Sequence, residues 1–130
     1  MAMNILTHLM FDGAAAEAMQ LYVSLIPGSR IISSDYYTEG DSEGKLQQGR
    51  FELAGREFIC IDTPVKHDFD FTPSMSIFVE FDSESELRNC FRQLAEGGSE
   101  LMPLDNYGFS PLFGWLSDRF GVSWQLNLVE

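Results

Sequence analysis

The stretch SMSIFVEFDSESELRNCFRQLAEGG, residues 74–98, shows two hydrophobic periodicities, one after the other. Its first part alternates apolar and polar residues, and a period of two predicts a strand. The apolar positions of that strand are Met75, Ile77, Val79 and Phe81. The second part follows a helical period, and its apolar stripe comprises Leu87, Cys90, Phe91 and Leu94. Ser83 and Glu86 form an S-x-x-E capping box that begins this helix, and two glycines end it. The stretch therefore predicts a strand that leads directly into a helix.

The same order of elements occurs earlier in the chain. Residues 3–11, MNILTHLMF, are typical of a strand, and the helical stretch DGAAAEAMQLYVSLIPGS follows, with Asp12 as its expected cap. Three predicted strands come next, RIISSDYYTE, KLQQGRFELA and REFICID, and Ala54-Gly55 joins the last two as a hairpin. After residue 98, short strands are predicted near Glu100–Pro103, Pro111–Ser117 and Val122–Val129.

These elements predict an α+β fold built from two βαβββ modules. We place module one at residues 1–65, a linker at 66–71 and module two at 72–130, within a single domain of residues 1–130. One helix would cover the outer face of each curved sheet. The two modules would then form a cup-shaped mixed sheet, lined by alternate residues of its strands. No GxGxxG follows a strand and no GxxxxGK[ST] occurs, so neither a Rossmann nor a P-loop architecture is expected.

The charge balance excludes two classes of partner. The chain has 8 Lys and Arg residues against 20 Asp and Glu residues, which gives a net charge of −12. Nucleic acids and anionic membranes need a basic surface, so neither is expected as a partner. The N-terminus has no basic start or small-residue cleavage site, and no apolar run approaches the roughly 18 residues of a transmembrane helix.

The two cysteines, Cys60 and Cys90, are too few for a disulfide scaffold or a four-cysteine zinc site. We therefore expect reduced thiols and a cytoplasmic protein. As a nucleophile Cys60 lacks an assignable base, and we interpret it as a small buried thiol.

The two ends of the chain carry a family resemblance. LMFDGAAAEAMQLYVSLIPGSRI resembles the opening of PhnB-like proteins, also labelled demethylubiquinone-methyltransferase-like, and YGFSPLFGWLSDRFGVSWQL resembles their closing signature. This branch belongs to the vicinal-oxygen-chelate superfamily, which has the glyoxalase/bleomycin-resistance fold. The resemblance covers essentially the whole chain and implies that fold and a homodimer, while the branch has no single settled activity.

The resemblance also implies where a metal ion would be bound. Metal-dependent members of the superfamily use mostly His and Glu at four strand positions, which correspond here to Thr7 or its neighbour His8, Gln48, Ser76 and Gln125. Amides and hydroxyls are poor metal ligands without carboxylate or imidazole beside them. No metal or other cofactor is therefore expected. Gln125 takes a place that often holds a carboxylate, and it alternates with Trp124, Leu126 and Leu128 on its strand.

The remaining candidates are assigned by strand parity. Arg50 is two residues after Gln48 on one predicted strand, so the two side chains face the same side. Arg50 then either binds an anionic group of a ligand or pairs with an acidic residue on the sheet. Ile59 and Ile61 suit the helix side, which would place Cys60 and Asp62 in or near the cup. The side chains of Phe78 and Trp115 would line the cup as its apolar walls.

The last segments of the chain add further candidates. Tyr107, Phe109 and Phe113 come from a glycine-flanked loop that either covers the cup or forms a hydrophobic plug or a dimer contact. Trp124 is expected in the core, and Asp118 in a type I turn that ends at Gly121.

One cluster lies outside the strands. His67, Asp68 and Asp70 could bind a metal ion, but a solvated linker is the favoured interpretation.

Four functions remain open at this stage. The favoured one is metal-independent binding of a small molecule, with contacts from Thr7, His8, Gln48, Arg50, Ser76, Phe78, Trp115 and Gln125. A metal-dependent lyase, isomerase or dioxygenase of the glyoxalase type would need at least three convergent His, Glu or Asp ligands. A dimeric scaffold would have its cup filled by side chains. A methyltransferase, as the branch label implies, typically has a glycine-rich loop after its first strand and a doubly wound sheet, which the pattern does not show. No catalytic residue can be assigned.

Overall fold

The computed structural model describes residues 3–129 and divides into two compact units, one ending at His67 and one beginning at Asp68. The boundary lies within the predicted linker. No helix in the described part of the chain has the length and apolar character to cross a bilayer.

The first unit contains one helix and a four-stranded mixed sheet. Its elements are β1 (Thr7–Phe11), α1 (Ala15–Leu25), β2 (Arg30–Tyr36), β3 (Leu46–Leu53) and β4 (Arg56–Asp62). The strand order is β1-β4-β3-β2, with β1 parallel to β4 and the other pairs antiparallel. The β3–β4 hairpin turns at Ala54 (φ 50°) and Gly55 (φ 89°), the two positive φ angles that a type I′ turn requires.

The second unit repeats this order. Its elements are β5 (Ser76–Phe81), α2 (Glu84–Ala95), β6 (Ser99–Asp105), β7 (Phe113–Ser117) and β8 (Ser123–Leu128). The strand order is β5-β8-β7-β6, with β5 parallel to β8. Ser83 Oγ accepts a hydrogen bond from the Glu86 N–H at 3.3 Å, so the predicted cap begins α2. The α+β fold with two βαβββ modules is confirmed.

Each helix packs on one face of its own sheet. In the first unit, Met19 Sδ lies 3.8 Å from Cys60 Sγ, and the rings of Tyr22 and Phe51 are 6.4 Å apart. A Cβ on Gly49 would lie 2.8 Å from Met19 Sδ, so the absence of a side chain there permits this close approach. In the second unit, a side chain on Gly114 would collide with Phe91 of α2. The face of each sheet opposite its helix is called the open face below.

The predicted cap of α1 is wrong. The N-cap residue is Ala14, and no side chain of the cap accepts a hydrogen bond. Asp62, at the end of β4, supplies the carboxylate instead, because its Oδ1 accepts from the N–H groups of Gly13 (2.8 Å) and Ala15 (2.9 Å). A carboxylate at this position also interacts favourably with the positive end of the helix dipole.

Candidate functional site

The register of β1 decides between Thr7 and His8. Thr7 is paired with Phe58, a core residue, so it lies on the face that α1 covers. His8 is paired with Ile59 and lies on the open face of the first unit, where it is exposed. Paired residues of neighbouring strands project to the same face, which makes His8 the available imidazole.

Gln48 and Arg50 of β3 lie on the same open face as His8. Arg50 is paired with Ile59, and its Nη1 donates to Glu57 Oε2 at 2.6 Å. The Arg50 side chain is 36% exposed, so its guanidinium is available to a ligand only on the sides that Glu57 does not occupy. Gln48 is exposed and paired with Asp35 of the edge strand.

The prediction that Cys60 and Asp62 lie in or near the cup is wrong. Cys60 is fully buried beneath Met19 of α1, and Asp62 is 1% exposed. Ile59 and Ile61 project to the open face instead. Burial, together with the nearby Asp62 carboxylate, raises the pKa of the Cys60 thiol to about 12. This thiol is protonated near neutral pH and is not a candidate nucleophile.

In the second unit, the open face of the sheet carries three rows of residues that run across its four strands. The serine row comprises Ser76, Ser123, Ser117 and Ser99. The middle row comprises Phe78, Gln125, Trp115 and Met102. The acidic row comprises Glu80, Asn127, Phe113 and Asp105. The predicted contacts Ser76, Phe78, Trp115 and Gln125 thus lie together in two adjacent rows.

A chain of hydrogen bonds joins the serine row to the middle row. Trp115 Nε1 donates to Ser123 Oγ at 2.8 Å, the hydroxyls of Ser123 and Ser76 are 2.7 Å apart, and Gln125 Nε2 donates to Ser76 Oγ at 3.2 Å. Ser123 is 1% exposed, so its proton needs an acceptor inside the protein, and Ser76 Oγ provides it. Ser76 then accepts two bonds, and its own proton is left to donate. The network offers a ligand a hydroxyl donor from Ser76 and the amide oxygen of Gln125.

Aromatic rings lie beside this network. Phe113 is buried, and its ring contacts those of Phe109 (5.0 Å between centroids), Tyr107 (6.2 Å) and Phe78 (6.4 Å). Phe78 is 53% exposed and Phe109 is 65% exposed. Large apolar side chains that remain exposed together often mark a binding surface.

Asp118 and Trp124 have structural positions, as predicted. Asp118 Oδ1 accepts from the N–H groups of Phe120 and Val122, and its Oδ2 accepts from Trp124 Nε1 at 2.9 Å. The N–H of Gly121 closes the turn on the carbonyl of Asp118 at 2.9 Å. Trp124 is fully buried on the face that α2 covers.

Several polar residues of the open face were missed as site candidates, among them Ser123, Asn127 and Glu80. Ser123 and Asn127 have the same parity as Gln125, so the alternation of the last strand contained that signal. Glu80 lies two residues after Phe78 on one strand, and it is paired with Asn127. No sequence pattern joins Glu80 to Asn127, because the parallel register that brings them together is set by tertiary structure.

The residues present do not fit a resident metal ion. The positions that the resemblance implies provide one imidazole, two amides and one hydroxyl, a donor set that is poor for a divalent ion. Within residues 3–129, no group of three His, Cys, Asp or Glu side chains is arranged to hold a metal. His67, Asp68 and Asp70 are exposed, and they too do not form such a group.

Comparisons with known proteins agree with this architecture. The family model described as 3-demethylubiquinone-9 3-methyltransferase matches residues 3–127. A PhnB protein from Bacillus cereus is 48% identical over 98% of this chain and 100% of its own, with a TM-score of 0.95. A protein from Pseudomonas aeruginosa is 28% identical over 98% of both chains, with a TM-score of 0.84.

More distant similarity supports the fold alone. A structure described as a possible glyoxalase from Bacillus cereus is 12% identical, over 97% of this chain and 99% of its own, with a TM-score of 0.59. None of the curated proteins is similar enough to match the chain. The chain therefore belongs to the 3-demethylubiquinone-9 3-methyltransferase family and is PhnB-like, with a fold that it shares with the possible glyoxalase.

Proposed function

We propose that the open face of the second unit binds a small organic molecule without a metal ion. The observation that carries this proposal is the hydrogen-bonded chain of Trp115, Ser123, Ser76 and Gln125 beside the exposed ring of Phe78. Ligand sites typically combine aromatic walls with a few fixed polar groups. Here the Ser76 hydroxyl and the Gln125 amide oxygen are held in place by neighbours and are still available to a ligand.

The family description suggests a first probe. It refers to methylation of a ubiquinone precursor, whose ring carries oxygen substituents and has apolar faces. Such a ring suits stacking on Phe78 with an oxygen beside Ser76 and Gln125. Methyl transfer is not included in the proposal, because two βαβββ modules differ from the doubly wound sheet of typical methyltransferases.

The two tryptophans make a direct test of binding feasible. The chain has 2 Trp residues, and their indole N–H groups give separate NMR signals. Trp115 lies on the open face, whereas the Trp124 indole is bonded to Asp118 in the core. On titration with dimethoxybenzoquinone, we expect the Trp115 signal to shift with saturation while the Trp124 signal stays in place.

Variants identify the contacts in the same titration. Gln125→Ala is expected to weaken binding about three- to tenfold, the usual contribution of one neutral hydrogen bond. Gln20→Ala, an exposed glutamine of α1, is the matched control and should bind like the native chain. A Trp115 signal that does not respond to the quinone or to other small aromatic probes would contradict the proposal.

We also propose His8, Gln48 and Arg50 as ligand contacts on the open face of the first unit. His8 and Gln48 are exposed there, and Arg50 keeps donors beyond those used by Glu57. Thr7 is left out because it projects to the face that α1 covers.

A homodimer in the cytoplasm completes the proposal. The edge strand β2 exposes Ile31 (39%), Ile32 (39%) and Tyr36 (44%), and exposed apolar edges favour association. Both cysteines are free and buried, which suits a reducing compartment.

The dimer can be tested by light scattering. The native protein should give twice the mass of one chain, and Ile32→Lys should lower the measured mass towards that of one chain. A native mass of one chain at micromolar concentration would contradict the dimer.

A further inference from the structure

The hydrogen-bond network on the open face of the second unit has a fixed direction. The indole N–H of Trp115 can only donate, and Ser123 Oγ accepts from it at 2.8 Å. Because Ser123 is 1% exposed, its own proton is donated to Ser76 Oγ, 2.7 Å away. Ser76 Oγ also accepts from Gln125 Nε2 at 3.2 Å, and this bond uses its second lone pair. The Ser76 hydroxyl can therefore only donate to a ligand, so the ligand must bring an acceptor.

The amide of Gln125 offers a ligand the opposite kind of group. Its Nε2 is directed to Ser76, and its Oε1 has no donor in the described part of the chain. Among residues 3–129, the side-chain polar atom that is both buried and unpaired is Asn127 Oδ1, so the unpaired Oε1 of Gln125 reaches solvent. This oxygen can only accept, and it suits a ligand that brings an N–H or O–H group.

The two polar groups lie beside an exposed aromatic ring. Phe78 is paired with Gln125 on the neighbouring strand and lies two residues after Ser76 on its own strand. Neighbouring strands are about 4.8 Å apart and two residues of a strand span about 6.6 Å, so the three side chains surround a patch about as large as one six-membered ring. Phe78 is 53% exposed, and Ser76 and Gln125 are each partly exposed, so all three have surface that a ligand can touch.

The charge of this face disfavours an anionic acceptor. None of the residues in the three rows is Lys or Arg, and Glu80 lies two residues after Phe78 on the same face. A carboxylate ligand would also meet the net charge of −12 of the whole chain. The acceptor that Ser76 binds is therefore expected to be a neutral oxygen.

We propose that the ligand of this face is a neutral planar ring with a carbonyl oxygen next to an N–H or O–H group, as in a lactam. This inference depends on the proposed binding function and specifies its ligand class. The carbonyl accepts from the Ser76 hydroxyl, the neighbouring N–H or O–H donates to Gln125 Oε1, and the ring stacks on Phe78. Each polar group of the ligand then exchanges water for a partner of the opposite kind, so neither is left unpaired.

A matched pair of probes tests the donor of the ligand. 2-Pyridone has a ring carbonyl beside an N–H, and N-methyl-2-pyridone keeps the ring and the carbonyl but lacks the N–H. Both are titrated into the full chain while NMR follows the Trp115 indole and the backbone amides of Phe78 and Gln125. We expect 2-pyridone to bind about three- to tenfold more tightly, the usual contribution of one neutral hydrogen bond.

Substitutions then locate the acceptor for this N–H. Gln125→Ala removes the Oε1 atom, so the two pyridones should bind with affinities within about twofold of each other. Gln20→Ala removes an exposed glutamine of α1 and should keep the preference for 2-pyridone. An unshifted Trp124 indole signal in each variant shows that the core is intact.

A second pair of probes tests the charge of the ligand. Benzamide has a carbonyl oxygen and an N–H₂ group on an aromatic ring, whereas benzoate has two acceptor oxygens and a negative charge on the same ring. We expect benzamide to bind more tightly than benzoate at low salt, and the difference to decrease as salt screens the negative charge of the protein.

The outcomes separate the two proposals. Equal affinities for the two pyridones would show that Gln125 does not accept from the ligand, and tighter binding of benzoate would show that the face selects an anion. Either result would overturn the lactam inference and leave the binding function standing. A preference for 2-pyridone that survives in Gln125→Ala would also overturn it, because the N–H would then be bound elsewhere. If neither these probes nor the quinone shifts any signal of this face, both proposals fail.

Discussion

Replacing Asp118 with alanine is expected to lower the free energy of unfolding by about 3–5 kcal/mol. The carboxylate is 3% exposed and accepts from the N–H groups of Phe120 and Val122 and from the indole of Trp124. Alanine would remove the carboxylate that accepts from the buried Trp124 indole N–H and from the Val122 N–H. Domains of this size unfold at a cost of roughly 5–15 kcal/mol, so much of the stability depends on this side chain.

The measurement is urea unfolding followed by circular dichroism, with two companion variants. Asp118→Asn keeps one acceptor oxygen for the turn and places an amide N–H₂ against the Trp124 indole, so about half of the loss is expected. Asp68→Ala removes an exposed aspartate of the same unit and should change stability by less than about 0.5 kcal/mol. A loss below about 1 kcal/mol for Asp118→Ala would show that water or another group satisfies the buried donors.

Local signals in the sequence predicted most of the elements. The Ser83 side chain caps the start of α2 where expected, and Ala54-Gly55 turns the β3–β4 hairpin. Parity alone placed Trp124 in the core and Gln125 on the opposite face. Each of these signals acts within a few residues, which is why one sequence was enough to find them.

The errors concern groups whose partners lie far along the chain. Hydrophobicity favoured Ile59 and Ile61 for the helix side of β4, yet Cys60 and Asp62 lie there. Helix α1 is rich in alanine and approaches the sheet closely over Gly49, so the small thiol of Cys60 fits beneath Met19. The choice between Thr7 and His8 likewise depended on pairing with Phe58 and Ile59, about fifty residues away.

The candidate site was predictable from the sequence only in part. Ser76 and Gln125 were named from the family resemblance and Phe78 and Trp115 were proposed as walls, and the structure places all four on one face of the second sheet. The hydrogen bond from Trp115 to Ser123 and the position of Glu80 beside Asn127 depend on registers between separate strands. Such registers are fixed by packing, so the network and the acidic row emerge only from the structure.

Asp62 provides the second large expected effect, because it joins three segments that are distant in sequence. Its Oδ1 accepts from Gly13 and Ala15 at the start of α1, and its Oδ2 accepts from the N–H of Leu46 at 3.0 Å. Asp62→Asn has almost the same shape but cannot accept at both positions. One buried N–H would then face an amide N–H₂, and we expect a loss of about 2–3 kcal/mol.

The matched control is Asp12→Asn, which removes the same charge near the same helix start. The Asp12 side chain is 58% exposed, and its Oδ2 lies 3.6 Å from Lys66 Nζ. This exposed ion pair contributes little to stability. We expect this variant to change stability by less than about 0.5 kcal/mol. Native-state hydrogen exchange of the amides of Gly13, Ala15 and Leu46 should accelerate in Asp62→Asn and stay unchanged in Asp12→Asn. Equal losses in the two variants would show that charge near the helix dipole, rather than the three buried hydrogen bonds, stabilises the junction.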